Sequence, residues 1–294
     1  MKIKHSMAVS ALLALLSACS DDAATGRLTL AVTDAPVDRA TAVVVEFTGI
    51  DIKPAAGEAR GFDFEQPRSI DLLALSGSDS ETLLQDVEVE AGRYEWVRLR
   101  VNAEEDGVTD SYIDLEDGSR HELDVPSGAE TGLKLHSGFL VPAGGAASFT
   151  VDFDLRKSVH EPMDAADSYQ LRPTLRIVDN AQVGAIAGTV AAALVTTDCT
   201  PAVYVFEGSG VTPDDVDGAP AEPVTTARVE LDGTSGQYGY RAGFLGAGSY
   251  TVAFTCDAAA DDPAVNDALT FSGAQNATVT AGQTTAVSFA APAP

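Results

Sequence analysis

Apolar and polar positions alternate along most of this chain. Leu28, Leu30 and Val32 are separated by polar or small residues, as are Val43, Val45 and Phe47, and again Val97, Leu99 and Val101. The longest run sets Phe149, Val151, Phe153 and Leu155 against Thr150, Asp152, Asp154 and Arg156. A period of two marks a β-strand with one side on a core and the other toward water. It predicts an all-β protein. Asp117-Gly118, between Tyr112-Ile113-Asp114-Leu115 and Glu122-Leu123-Asp124-Val125, predicts a hairpin. Asp34-Ala35-Pro36 and Pro142-Ala143-Gly144-Gly145 predict loops. Helical period is scarce: Leu72, Leu73, Leu75, Leu83 and Leu84 allow a short helical turn within residues 71–86, interrupted by Gly77 and nearby serines and aspartates.

The composition shifts near residues 179–182. Before this point the strands carry Arg and long aliphatics; after it come Ala, Thr and Gly, with Arg228 and Arg241 as the only basic residues. Two β-sandwiches in tandem, immunoglobulin-like or prealbumin-like, are the simplest account. They are expected at residues 27–180 and 183–294. In the second, residues 202–206, 227–231, 250–256 and 277–289 are the strand candidates.

The N-terminus obeys a different logic. Lys2 and Lys4 precede an apolar run from Met7 to Ala18, and small polar residues follow. That is a secretory signal, too short to span a bilayer. Leu16-Ser17-Ala18-Cys19 resembles a bacterial lipobox, in which the cysteine is acylated and becomes the first residue of the mature chain. The reading is therefore a signal peptide at 1–18, a lipidated tether at 19–26 and a membrane anchor at Cys19. By resemblance to Gram-negative lipoproteins, Ser20 after the anchor favours the outer membrane. No later run reaches the roughly 18 apolar residues of a membrane helix; residues 183–195, rich in Ala, Gly and Thr, come nearest.

Charge narrows the partners. With 44 acidic against 18 basic residues, the chain carries a formal net charge of −26. Nucleic-acid binding draws on clustered Lys and Arg, and peripheral attraction to anionic lipid does the same. Both are disfavoured. The acidity reads either as solvation or as affinity for calcium and cationic partners. With Cys19 given to lipid, Cys199 and Cys256 are an even pair in an oxidising compartment, and a disulfide is their expected use.

Longer stretches carry a family resemblance. LTLAVTDAPVDRATAVVVEFTGIDI, VEAGRYEWVRLRV, GLKLHSGFLVPAGGAASFTVDFDLRKSV and YQLRPTLRIVD resemble the bacterial lipoprotein family called domain of unknown function 4382, over residues 27–180. VGAIAGTV, FLGAGSYTVAF and ATVTAGQTTAVSF resemble the prealbumin-like regulatory domain found beside carboxypeptidases, over residues 183–292. The segment 207–223 departs from that compact pattern. The two resemblances imply β-sandwiches at a cell envelope and supply no catalytic residue.

A catalytic constellation is not evident. His121, His136 and His160 stand in no HxxxH or HExxH spacing, and there is no GxSxG turn, phosphate-cradling glycine loop or CxxC. His136 precedes Ser137, but neighbours in a strand point to opposite sides of the sheet. Paired carboxylates carry little information in so acidic a chain. Two loops offer the oxygens and glycine bend that calcium needs: Glu104 to Asp110, and Asp214-Asp215-Val216-Asp217-Gly218. Of these, Asp214, Asp215 and Asp217 are the candidate calcium ligands, a solvated acidic turn being the alternative. The single tryptophan is the candidate binding residue. Alternation that buries Val97 and Leu99 sets Trp96, Arg98 and Arg100 on the other face, where they either meet a sugar or anionic partner or pack against one another by cation-π contact. Tyr94 is expected as a structural tyrosine at a sandwich corner. The expected function is a non-catalytic envelope module for a glycan or protein partner, the alternatives being a calcium-stabilised spacer and a hydrolase with a loop-assembled site.

Overall fold

The computed structural model describes residues 24–35, 40–126, 132–161, 169–172 and 174–291. Cys19 and its leader lie outside the described residues. In chain order the first strands are β1 (Thr25–Ala35), β2 (Ala40–Pro54), β3 (Arg60–Asp71), β4 (Glu81–Glu90), β5 (Gly92–Asn102), β6 (Tyr112–Leu115) and β7 (Arg120–Asp124). There follow β8 (Leu133–Leu135), β9 (Phe139–Val141), β10 (Ala146–Asp154), the one-turn helix α1 (Leu155–Ser158), β11 (Val159–His160), β12 (Tyr169–Leu171) and β13 (Leu175–Asp179). The remaining strands are β14 (Val183–Val190), β15 (Ala202–Glu207), β16 (Thr225–Arg228), β17 (Glu230–Leu231), β18 (Tyr238–Gly246), β19 (Gly248–Thr255), β20 (Phe271–Val279) and β21 (Thr284–Ala286).

These strands form four sheets in two pairs. One pair sets β13-β10-β1-β4 against a larger sheet of order β11-β12-β7-β6-β2-β5-β8, to which β3 adds on β2 and β9 on β5. The other pair sets β17-β18-β14-β21 against β16-β15-β19-β20. Each pair encloses an apolar core, as a β-sandwich does. In the first, Leu28, Leu30 and Val32 of β1 meet Val43, Val45 and Phe47 of β2, and Phe47 meets the edge of Phe153 at 6.4 Å between ring centres. The strand β2 is the spine of the larger sheet: β5 and then β6 run along it in antiparallel register, while β3 takes its other edge.

Most predicted strands are present, but 227–231 divides between β16 and β17 and 277–289 between β20 and β21, each pair split across the two sheets of the second sandwich, and three further differences stand out. Leu83 and Leu84 belong to β4; only Leu72–Leu75 is helical, as a 3-10 turn whose first free amide is capped by Asp71. The strand β3, not among the predicted strands, holds Pro67 at a register break opposite residues 47–49 of β2, where a missing N–H costs no ladder bond. The third difference lies in the polar side of β10. Thr150 and Asp152 are expected toward water but are 0% and 6% exposed. The strand sits centrally between β1 and β13, and Asp152 faces Thr225, Thr226 and Arg241 of the second sandwich.

Two tyrosines pin the corners. Tyr94 Oη donates to the Glu90 carbonyl at 2.9 Å, and Tyr250 Oη donates to the Gly246 carbonyl at 2.8 Å. Each hydroxyl reaches back four residues, so a buried phenol satisfies a turn carbonyl. Cys199 and Cys256 form the expected disulfide, tying the segment before β15 to the end of β19. The second sandwich also has a core on its outer side: Tyr204, Phe206 and Ala253 pack beneath Val211, Val216 and Ala258 from the covering segments. That is why β15 reads Ala-Val-Tyr-Val-Phe without alternation, being buried on both faces.

Candidate functional site

The outer face of the large sheet carries the sequence-selected tryptophan. Val97, Leu99 and Val101 point into the core, and Trp96, Arg98 and Arg100 lie on the opposite, half-buried side. A register shift at Lys53 and Pro54 leaves Glu95 as an extra residue, which lets Tyr94 and Val97 both face inward. Arg98 Cζ and Lys134 Nζ stand 5.3 and 4.2 Å from the Trp96 ring centre. The cation-π packing is thus present, and the indole is half-buried. Arg98 and Arg100 approach Asp51 at 3.7 and 3.4 Å, and Arg100 pairs with Asp63 at 2.7 Å and donates to the Phe62 carbonyl at 3.0 Å. Gly49 makes this crossing possible, because a Cβ there would lie 2.2 Å from the Arg100 guanidinium. Lys134, on the neighbouring strand β8, is the member that sequence reasoning missed. Its outward position follows from the buried pair Leu133 and Leu135.

His136 and Ser137 follow the end of β8 and are both exposed. They lie beyond the strand, so strand alternation does not place them on opposite sides of the sheet. His121 contacts the Ser119 hydroxyl at 2.9 Å. His160 lines a cleft of about 380 Å³ with Glu161, Tyr169, Arg156, Asp261 and Asp262. Burial, then the Arg172 charge, lowers the His160 pKa below the ordinary imidazole value. No Ser, Thr or Cys is among the described residues lining this cleft.

Arg156 leads from the cleft into the junction between the sandwiches. Asp154 ends β10 and caps α1, and the resulting turn carries Arg156 away from the solvent position that alternation assigned it. Its Nη1 donates to Tyr204 Oη at 3.0 Å, to the Ala258 carbonyl at 3.2 Å and to Asp261 Oδ2 at 2.9 Å. Tyr204 Oη donates to the same carboxylate oxygen. The Arg156 and Asp261 side chains are 5% and 0% exposed, so this is a buried, hydrogen-bonded ion pair. Alongside it, Lys157 pairs with Asp154 and with Glu222. Burial pulls the Lys157 ammonium down, but the two carboxylates outweigh it and its pKa stands above the ordinary value.

Beside Arg156 lies an acidic cluster. Oxygens of Asp215, Asp261 and Asp267 fall within 4.8 Å of one another. Asp215 is 0% exposed. Its Oδ2 accepts from the Asp267 amide, whereas its Oδ1 is buried without a hydrogen-bond partner among the described residues. Burial raises the Asp215 pKa, against the lowering effect of the amide donor. Asp261 Oδ1 accepts from the Val216 amide at 3.1 Å, and Asp217 Oδ2 from Asn266 Nδ2 at 2.8 Å. Of the three expected calcium ligands only Asp215 is in the cluster. Asp214 accepts from the Asp215 amide at 3.2 Å, and Asp217 is engaged by Asn266 and the Ala219 amide. The other two carboxylates come from the acidic segment after the disulfide, a partner that spacing along one loop does not reveal.

Residues 25–173 match the family model described as Domain of unknown function (DUF4382). The chain belongs to that family. The DUF4382 match thus takes in the Trp96 face and Arg156, and leaves Tyr204 and the three clustered aspartates outside it. No curated protein matches the sequence. Among solved structures, the chain is similar to a leucine-rich repeat protein from Bacteroides thetaiotaomicron, at 13% identity over 91% of this chain and 27% of that one, with a TM-score of 0.20. It is similar to the Bacillus anthracis TIE protein at 9% identity over 90% of this chain and 34% of that one, with a TM-score of 0.21. The minor pilin GBS52 of Streptococcus agalactiae shows 12% identity, coverage of 90% and 97%, and a TM-score of 0.20. The chain therefore spans about a third or less of the first two proteins, and likenesses at these TM-scores carry nothing about activity.

Proposed function

We propose that this DUF4382 protein is a lipid-anchored, non-catalytic module of a Gram-negative cell envelope, held at the outer membrane through Cys19, that captures a glycan or an envelope protein. The observation that carries the reading is the Trp96 face. An indole flanked by Arg98 and Lys134 offers an apolar ring for the C–H side of a sugar and cations for a carboxylate or sulfate. In a chain of net charge −26 such a concentration of basic side chains is local and specific. The lipobox-like Leu16-Ser17-Ala18-Cys19 supports the anchored part of the reading. The strand β1 begins at Thr25, so the stretch after Cys19 spans at most about 20 Å at roughly 3.5 Å per residue. The first sandwich would stand close to the bilayer surface.

The test is a glycan array of neutral and acidic oligosaccharides probed with the full chain in detergent. Binding to an acidic class is expected, lost in Trp96→Ala and weakened in Lys134→Ala while the melting temperature of Lys134→Ala stays near that of the parent. Binding that survives Trp96→Ala, or an array blank for a folded chain, would overturn the glycan form of the proposal. Labelled palmitate incorporated in the parent but not in Cys19→Ser tests the anchor separately.

A further inference from the structure

We propose that Asp215, Asp261 and Asp267 form a binding site for a hard divalent cation of the size of Ca²⁺, placed where it locks the junction between the two sandwiches. Three carboxylates converge from two segments, and their oxygens lie within 4.8 Å of one another. Oxygens no farther apart than this can share one Ca²⁺ at about 2.4 Å each. Proximity of acids alone would not make a site. The second observation is Asp215 Oδ1, an acceptor in a side chain that is 0% exposed, for which no donor exists among the described residues. A buried carboxylate oxygen left without a donor costs free energy, which a cation bound at the cluster would offset.

Charge points the same way. The three carboxylates bring three negative charges, Arg156 returns one positive charge through its 2.9 Å contact with Asp261, and a divalent ion balances the remaining two. The arrangement also leaves lone pairs for a metal. Asp261 uses Oδ2 for Arg156 and Tyr204 and one position on Oδ1 for the Val216 amide, and Asp267 Oδ2 accepts only from the Asp262 amide among the bonds identified. Six or more oxygens are needed in all, so water or carbonyl ligands would complete the shell. Because Asp261 is shared between the cluster and Arg156, which belongs to the first sandwich, occupancy would stiffen the contact between the two.

The experiment titrates calcium chloride calorimetrically into the chelator-treated full chain in detergent, with magnesium chloride as competitor and thermal melting as a second readout. One ion per chain and a rise in melting temperature are expected. Asp215→Asn and Asp267→Asn should each weaken calcium binding by about tenfold or more, since ligand charge sets affinity. Asp214→Asn should leave it within about threefold, as its side chain is outside the cluster. Asp267 is the least buried of the three, so Asp267→Asn decides the question if Asp215→Asn does not fold. A folded parent with no saturable heat and no melting shift at millimolar calcium, or an Asp267→Asn chain with unchanged affinity, would overturn the proposal. The titration contains no glycan, so failure here leaves the Trp96 reading standing.

Discussion

Arg156 shows how much one side chain can do when a strand ends one residue early. Alternation along 149–156 counts it as a water-facing residue, and were β10 to continue it would be one. Instead Asp154 caps a helical turn and Arg156 enters the junction, where it meets Tyr204, Ala258 and Asp261. Truncating one partner of a buried, hydrogen-bonded pair strands the other charge, at a cost of about 3–5 kcal/mol. Arg156→Ala is therefore expected to lower unfolding free energy by that amount, measured by urea titration in chelator. Combined with Asp261→Asn, the loss should be less than additive by about 1–3 kcal/mol, because both substitutions remove the same contact. Additive losses would mean that the two residues act independently. Trp96 illustrates the opposite case. Its side of the sheet was legible from Val97 and Leu99, since a period of two assigns faces, but Lys134 beside it comes from another strand and leaves no local trace.

At the scale of elements, the disulfide was legible by elimination and compartment alone, whereas the register it secures was not. Cys199 and Cys256 are 57 residues apart and join the segment leading into β15 to the end of β19. Between them lie the covering segment 207–223 and five strands, β15 to β19, so the open chain has much freedom to lose. On the chain-entropy estimate a loop of this length stabilises by about 4 kcal/mol. The pair Cys199→Ser with Cys256→Ser should show a loss of that size in denaturant titration, and an unchanged midpoint would show that the outer core around Tyr204 and Phe206 already restrains the loop. The strand least visible in the sequence has a physical reason for its silence: β3 is an edge strand whose alternation, Phe62 and Phe64 against Asp63 and Glu65, is cut short before Pro67. The strand β15, expected over residues 202–206, reads as a continuous apolar run because it is covered on both sides.

The whole molecule depends on how closely the two sandwiches approach. Gly243 of β18 faces the 3-10 turn region of the first sandwich, and a Cβ on it would stand 2.1 Å from the Gly77 carbonyl. Nearby, Arg241 Nε donates to Ser78 Oγ. Backbone atoms cannot yield as a flexible side chain does, so Gly243→Ala must push the sandwiches apart, with an overpacking cost of about 1–3 kcal/mol. Calorimetry is expected to resolve one unfolding transition in the parent and two in Gly243→Ala, with faster proteolysis between Asp179 and Val183. A single transition in both would mean that the junction does not couple the halves.

The sequence by itself determined the all-β class, the use of the cysteine pair and the face on which Trp96 lies. Each of these rests on local information: a period of two or a count of thiols. Only the tertiary structure decided that β1 and β10 pair in parallel, that Thr150, Asp152 and Arg156 are buried, and that Asp215 meets Asp261 and Asp267. Alternation reports which side of a strand is apolar, but not what covers the polar side. Side chains some fifty positions apart become neighbours only through the order in which sheets assemble and the way two sandwiches pack.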